Sequence, residues 1–186
     1  MPEPSLKTLL FDDVVALEDR DGSRYELWEG QPHAMTGGTR AHNRIALGLR
    51  DIIKSQIPRA CDVFVADMAL RLSPEGASNR AYPDVMVTCN ADPGSYQTSP
   101  ILVAEVLSES SVNRDRTKKL NAYTAIESVQ AYLILSQTAI EIEVYRRVNG
   151  WREEIYRGGD ALIELVEPNI RLPLRGIYQD AWDDLA

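Results

Sequence analysis

Glu105 interrupts Ile101-Leu102-Val103-Ala104-Glu105-Val106-Leu107, a run otherwise apolar on both faces. In an extended chain it shares a face with Val103 and Leu107 and so points into apolar surroundings. A carboxylate there must be neutralised or keep its proton, because unpaired burial is costly. A metal ion, a lysine or an arginine beside it would serve, and a plain structural ion pair meets the same need. Asp84 follows Tyr82-Pro83. The proline holds Tyr82 extended and cannot donate to a ladder, so Asp84 begins a strand at a sheet margin. Alone it reads as a turn aspartate. Together, two strand-borne carboxylates can meet across neighbouring strands and hold a hard divalent cation, which prefers oxygen ligands.

Lys119 completes this set. On a helix, Asp115, Lys119, Ala122 and Ile126 share one face, whereas Lys118 lies with Ser111, Arg114, Asn121 and Ala125. Lys119 is thus the lysine that turns inward, unless it merely pairs with Asp115 on the surface for ~0.3–0.5 kcal/mol. His42 tops the apolar stripe of the helix it begins, as a cap or core-edge residue or as a phosphate contact. Gly37-Gly38-Thr39 before it is either a flexible turn or an amide cradle for phosphate. Asp67 is also extended, but its neighbours Ala66 and Met68 give no reason to prefer it to Asp84. Trp28, Trp151 and Trp182 lack the spacing of a base-stacking platform, and two of them should pack on sheet faces.

The elements that must position these groups follow from periodicity and turn chemistry. Phe11–Leu17 reads as a short helix closed by Asp21-Gly22-Ser23, and residues 24–35 as a hairpin turning at Gly30. Ile45, Leu49, Ile52, Ile53 and Ile57 form one stripe of a helix over about 40–57, stopped by Pro58. Short strands are expected at Val63–Ala66, Met68–Leu72 and Tyr82–Val87, with a polar loop over Ser73–Ala81 between the last two. The Glu105 strand belongs at the centre of a covered sheet. Ser108–Ser111 would cap a helix from about Asn113 to Ile126. Strands follow at Gln130–Leu135, Ile140–Arg146 and Trp151–Tyr156, the last two joined by Asn149-Gly150. The tail Asp180–Ala186 reads as a solvated end. The expected architecture is α/β, a mixed sheet flanked by helices.

Composition bounds the rest. The chain has 186 residues, with 28 acids against 20 Lys and Arg for a net charge of −8, which fits one domain and excludes a broad basic surface coating nucleic acid. Local clefts framed by Arg40 and Arg44, with Arg114 and Arg116, remain open, and Arg50 and Lys54 share the helix of the first pair. No apolar run reaches the ~20 residues of a membrane helix, and Met1–Ser5 does not start a secretory signal. Cys61 and Cys89 form no CxxC pair and read as reduced thiols in a cytoplasm. With His33 and His42 they are too few and scattered for zinc.

The pieces in order resemble the Uma family of putative restriction endonucleases, a branch of the PD-(D/E)XK nuclease superfamily. The matching segments are Tyr25–Gly30, His42 leading a helix, Pro83-Asp84-Val85, Val103–Ser108, Arg114–Tyr123 and Ala131–Ile134, spanning about residues 10–172. The resemblance implies a restriction-endonuclease-like core, Mg²⁺ or Mn²⁺ as cofactor and DNA as substrate. It matches Asp84 and Glu105 to the two metal-holding acids and Lys119 to the catalytic lysine. The superfamily lysine ordinarily stands two places after the second acid, where this chain has Leu107, so the role moves to the following helix. Glu26 matches an acid of the family's hairpin, which would add a ligand or position a water. Glu109 departs from the family's usual proline. Free sheet edges on such a core suggest a homodimer. Two other functions fit the same residues: a catalytically silent interaction module, and a metal-dependent hydrolase of another phosphoester.

Overall fold

Gly22 and Gly30, both left-handed, punctuate the first elements. In the computed structural model, which describes residues 8–35, 37–72, 79–108 and 115–184, helix α1 (Phe11–Asp21) closes where the N–H of Gly22 (φ 72°) caps the Glu18 carbonyl. Strands β1 (Tyr25–Trp28) and β2 (Gln31–Ala34) pair with Trp28 opposite Gln31. Glu29 (φ 52°) and Gly30 (φ 75°) are thus the two loop residues, in the conformation a tight hairpin requires. Helix α2 (Arg40–Lys54) is capped by Thr39, whose hydroxyl accepts from the His42 N–H, and buries Ile45, Leu49 and Ile53. It ends one turn before Pro58, sooner than the stripe suggests.

Strands β3 (Asp62–Val65) and β4 (Ala69–Arg71) flank Ala66 and Asp67, and Ala66 adopts φ 54°. Then come β5 (Arg80–Ala81), β6 (Val85–Thr88), β7 (Tyr96–Gln97) and β8 (Leu102–Val106). A π-helical turn, Asp115–Lys119, runs into α3 (Leu120–Ala125). Strands β9 (Ala131–Leu135), β10 (Glu141–Arg146), β11 (Glu153–Arg157), β12 (Leu162–Leu165) and β13 (Ile170–Pro173) follow, then α4 (Leu174–Tyr178) and a 3-10 stretch, Gln179–Asp184. No helix among the described residues is long and apolar enough to cross a membrane.

The strands form a six-stranded sheet, β11-β10-β9-β8-β6-β3, a five-stranded sheet, β2-β1-β5-β4-β7, and the β12-β13 hairpin. In the larger sheet only β8 and β9 run parallel, joined through the helical segment that carries Lys119. Each face of that sheet has its own core. One packs Val85, Leu102, Ala104, Leu133 and Val144 against α2, β12-β13 and α4. The other packs Met86, Val103, Tyr132 and Ile134 against Tyr123 and Trp28. The expected mixed sheet flanked by helices is what forms, with β8 buried at every position.

Four expectations need correction. Cys61 and Cys89 are not free thiols but a disulfide across 28 residues. Asp62 sits opposite Thr88 in the β3–β6 ladder, so the next register step brings the two cysteines side by side; they no longer argue for a reducing compartment. Asn149-Gly150 does not make a two-residue turn, because a 3-10 turn over Arg147–Asn149 precedes Gly150 and lengthens the connection. The helix after β8 is not α-helical over Asp115–Lys119 but π-helical. The tail is not simply solvated, since Ala181 is fully buried in the larger core while Trp182 is 44% exposed. The lead-in before residue 8, most of the loop at Ser73–Ala81, Glu109, the caps at 110–111, Arg114 and residues 185–186 lie outside the described residues.

Candidate active site at the margin of the central strands

Register brings the two strand acids together. Antiparallel β6 and β8 pair Val85 with Ala104, so one step further Asp84 lies opposite Glu105, and directly opposed residues share a face. That face is the one packed by Tyr123 and Trp28. The Asp84 backbone is held as well, because Ala66 donates its N–H to the Asp84 carbonyl. Oδ2 of Asp84 accepts the Val106 N–H at 2.7 Å and lies 3.1 Å from His42 Nε2. The side chains of Asp84 and His42 are 15% and 19% exposed.

Glu105 is deeply buried and has its cation. Its Oε1 stands 3.0 Å from Lys119 Nζ and accepts the Tyr123 hydroxyl at 2.6 Å. Lys119 also lies 3.0 Å from Glu26 Oε1 on β1. Glu26 is fixed in turn: Trp28 Nε1 donates to its Oε2 at 3.0 Å, and the Tyr82 N–H reaches its Oε1 at 3.5 Å. All three charged groups are buried, so the ammonium is clamped between two carboxylates from two different sheets. Burial, reinforced by Glu105 and Glu26, pushes the Tyr123 hydroxyl well above its ordinary value, which keeps it a donor to Glu105. Burial likewise pushes Tyr82 up to about 12, with Arg80 opposing and Glu18 adding to the rise.

The inward turn of Lys119 follows the expected face, while Lys118 points out and pairs with Glu29. Lys119 and Tyr123, four residues apart, both reach Glu105, a pairing that helical spacing already contained. Two further participants carried weaker signals. His42 contacts Asp84 rather than serving only as a helix-top residue, and Gly38 leaves it room: a Cβ there would stand 2.9 Å from His42 Nδ1. Other candidates lie elsewhere. Asp67 is exposed and pairs with Arg24. Arg50 pairs with Asp51, and Lys54 donates to the Cys61 carbonyl.

Arg116 is taken up by Glu143, a second buried strand acid, 4% exposed, between Ile142 and Val144. Glu143 shows the structural alternative for such an acid, a single ion pair reaching out to a partly exposed arginine. The Glu105 site differs in setting two buried carboxylates, Glu105 and Glu26, against one buried ammonium, with Asp84 facing Glu105 across the ladder.

Asp84 and Glu105 are the acids that could hold a divalent cation, since Oδ1 of Asp84 takes no hydrogen bond from the described residues. No three His, Cys, Asp or Glu side chains among the described residues form a metal-holding group by themselves. Mg²⁺ does not need one, because it keeps several waters and binds through one or two carboxylates plus substrate phosphate.

A family model described as Uma2, putative restriction endonuclease, matches residues 11–175. Two uncharacterized proteins of Synechocystis sp. are similar over most of their lengths. One is 31% identical over 180 residues, 95% of this chain and 90% of the relative. The other is 29% identical over 166 residues, 85% of this chain and 93% of the relative. A crystal structure from Anabaena variabilis, described as a putative nuclease belonging to DUF820, superposes with a TM-score of 0.72 at 16% identity. It covers 93% of this chain and 99% of its own, and the likeness is one of fold.

Proposed function

The chain belongs to the Uma2 family of putative restriction endonucleases, and from that premise we propose that it is a divalent-cation-dependent endonuclease hydrolysing DNA phosphodiester bonds. The observation that carries this reading is the ammonium of Lys119 held at 3.0 Å from Glu105, on the strand facing Asp84. Asp84 and Glu105 would hold Mg²⁺ or Mn²⁺. When bound, such a cation neutralises charge on the scissile phosphate and acidifies water beside it.

The chain's own groups do the positioning. The Val106 N–H and His42 fix one oxygen of Asp84 and leave the other for ligation. Tyr123 donates to Glu105 and fixes its carboxylate. Lys119, between two carboxylates, acts as a charge and a hydrogen-bond donor rather than as a base. It orients the attacking water or stabilises negative charge growing on the phosphate. Glu26 supports the reaction by holding that ammonium in place. The water oxygen attacks phosphorus as the P–O bond to the leaving sugar breaks. The proton lost by the water and the one gained by the leaving oxygen balance through solvent.

Nicking of supercoiled plasmid in Mn²⁺ or Mg²⁺ tests this reading. Asp84→Asn should abolish it, and Lys119→Ala should slow it by about 10²–10³-fold, with folding of each variant confirmed by its melting curve. Full activity in either folded variant would defeat the assignment. One observation favours the alternative of a catalytically silent module: Lys119 already neutralises part of the buried acid cluster without any metal.

A further inference from the structure

Strand β11 is the outermost strand of the six-stranded sheet among the described residues. The hydrogen-bonding phase of the sheet fixes which groups face outward. Within the sheet, Ser136 donates its N–H to Glu141 and Arg147 donates to Gln130, so the odd-numbered residues of β10 bond to β9. On the other side, Gly158 donates to Ile140. With Glu141 opposite Arg157 and Glu143 opposite Ile155, the alternation of an antiparallel ladder makes Glu154 and Tyr156 the residues that exchange bonds with β10. Glu153, Ile155 and Arg157 therefore turn their N–H and C=O groups away from the sheet. Among the described residues no strand pairs with that edge.

We propose that two copies of the chain join through this edge, antiparallel, about a two-fold axis at Ile155. In that register Ile155 meets the partner's Ile155, Glu153 meets the partner's Arg157, and Arg157 meets the partner's Glu153. Every outward backbone group of the three residues then gains a partner, and the charges are complementary twice over. Ile155 is 41% exposed, a large apolar side chain at the centre of the contact.

Charged residues on an edge strand commonly block such pairing. Here their order, acid at one end and base at the other, favours the reversed copy instead. The Arg157 side chain is 65% exposed and already bonds Glu141, but a guanidinium has five donors and can serve the partner's Glu153 as well. Glu153 accepts from Tyr145, its neighbour across the ladder on β10, through Oε1 at 2.9 Å, which leaves its second oxygen to accept from the partner's Arg157. The pairing would join two six-stranded sheets into one continuous sheet, and it does not depend on the nuclease reading.

Sedimentation velocity and light scattering on the full chain test it. The wild type should be a dimer, while Ile155→Pro should be monomeric or weakened about tenfold or more in dimer affinity. That proline removes an outward N–H and none that β10 uses, so the sheet of each copy keeps its bonds. Arg157→Glu should also dissociate the dimer by opposing like charges, and adding Glu153→Arg should restore it. A monomeric wild type would overturn the proposal. So would a dimer indifferent to Ile155→Pro, or a charge-swapped pair that stays apart.

Discussion

Tyr82 and Tyr123 illustrate how single buried hydroxyls tie stability to pH. Each has a hydroxyl pushed above the ordinary 10 by burial first, Tyr82 to about 12 and Tyr123 well beyond 10. The protonated form is therefore favoured in the folded chain. Its stabilising contribution is complete below pH 10 and is lost as pH rises through the folded value. The melting temperature should accordingly fall between pH 10 and 12, and more shallowly in Tyr82→Phe. A parallel fall in both proteins would remove Tyr82 as a cause. Glu105 marks the other side of this chemistry. It lies in apolar surroundings at an energy a lone carboxylate does not meet, and Lys119 and Tyr123 share its Oε1.

At the level of elements, the central strand depends on how closely α2 can approach what lies beneath it. Gly48 sits where α2 crosses α4, and a Cβ built there would run into the Ile177 carbonyl oxygen. Alanine is the better helix former by ~1 kcal/mol, yet overpacking against backbone costs about 1–3 kcal/mol. Gly48→Ala should therefore lower stability in a denaturant titration despite its higher propensity, and a gain would show that the two helices can separate freely. The π-helical turn Asp115–Lys119 matters for a related reason. Such turns recur at functional sites because they redirect one side chain without ending the helix. Here the turn carries Lys119 inward and Arg116 to Glu143.

For the molecule as a whole, the question is whether the acid cluster is complete in itself or built to receive a cation. A ligand that binds only the folded state stabilises it by mass action, about 2.7 kcal/mol at a hundred times its dissociation constant. For a chain of this size that corresponds to a rise of roughly 5–10 °C in melting temperature. Mn²⁺ should produce such a rise in the wild type and little in Asp84→Asn or Glu105→Gln. An unchanged melting temperature in the wild type would favour the interaction module. On the endonuclease reading, the net charge of −8 would leave DNA contact to local groups, with Arg40 and Arg44 on α2 the arginines nearest in sequence to His42.

The sequence alone determined α1, α2, the β1–β2 hairpin and the strands β3, β4, β6 and β8 to β11, because alternation, the α2 stripe and the glycine turns are local signals that survive without neighbours, whereas β5, β7, β12, β13 and α4 carried no such signal. It also determined that Glu105 needs a cation and that Lys119 rather than Lys118 turns inward, since both follow from periodicity within one element. Only the tertiary structure decided who meets whom. The β3–β6 register brought Cys61 to Cys89, the β6–β8 register set Asp84 against Glu105, and the approach of a second sheet delivered Glu26 to Lys119. Contacts between distant segments depend on register and packing, and neither is written in the spacing of residues along a single element.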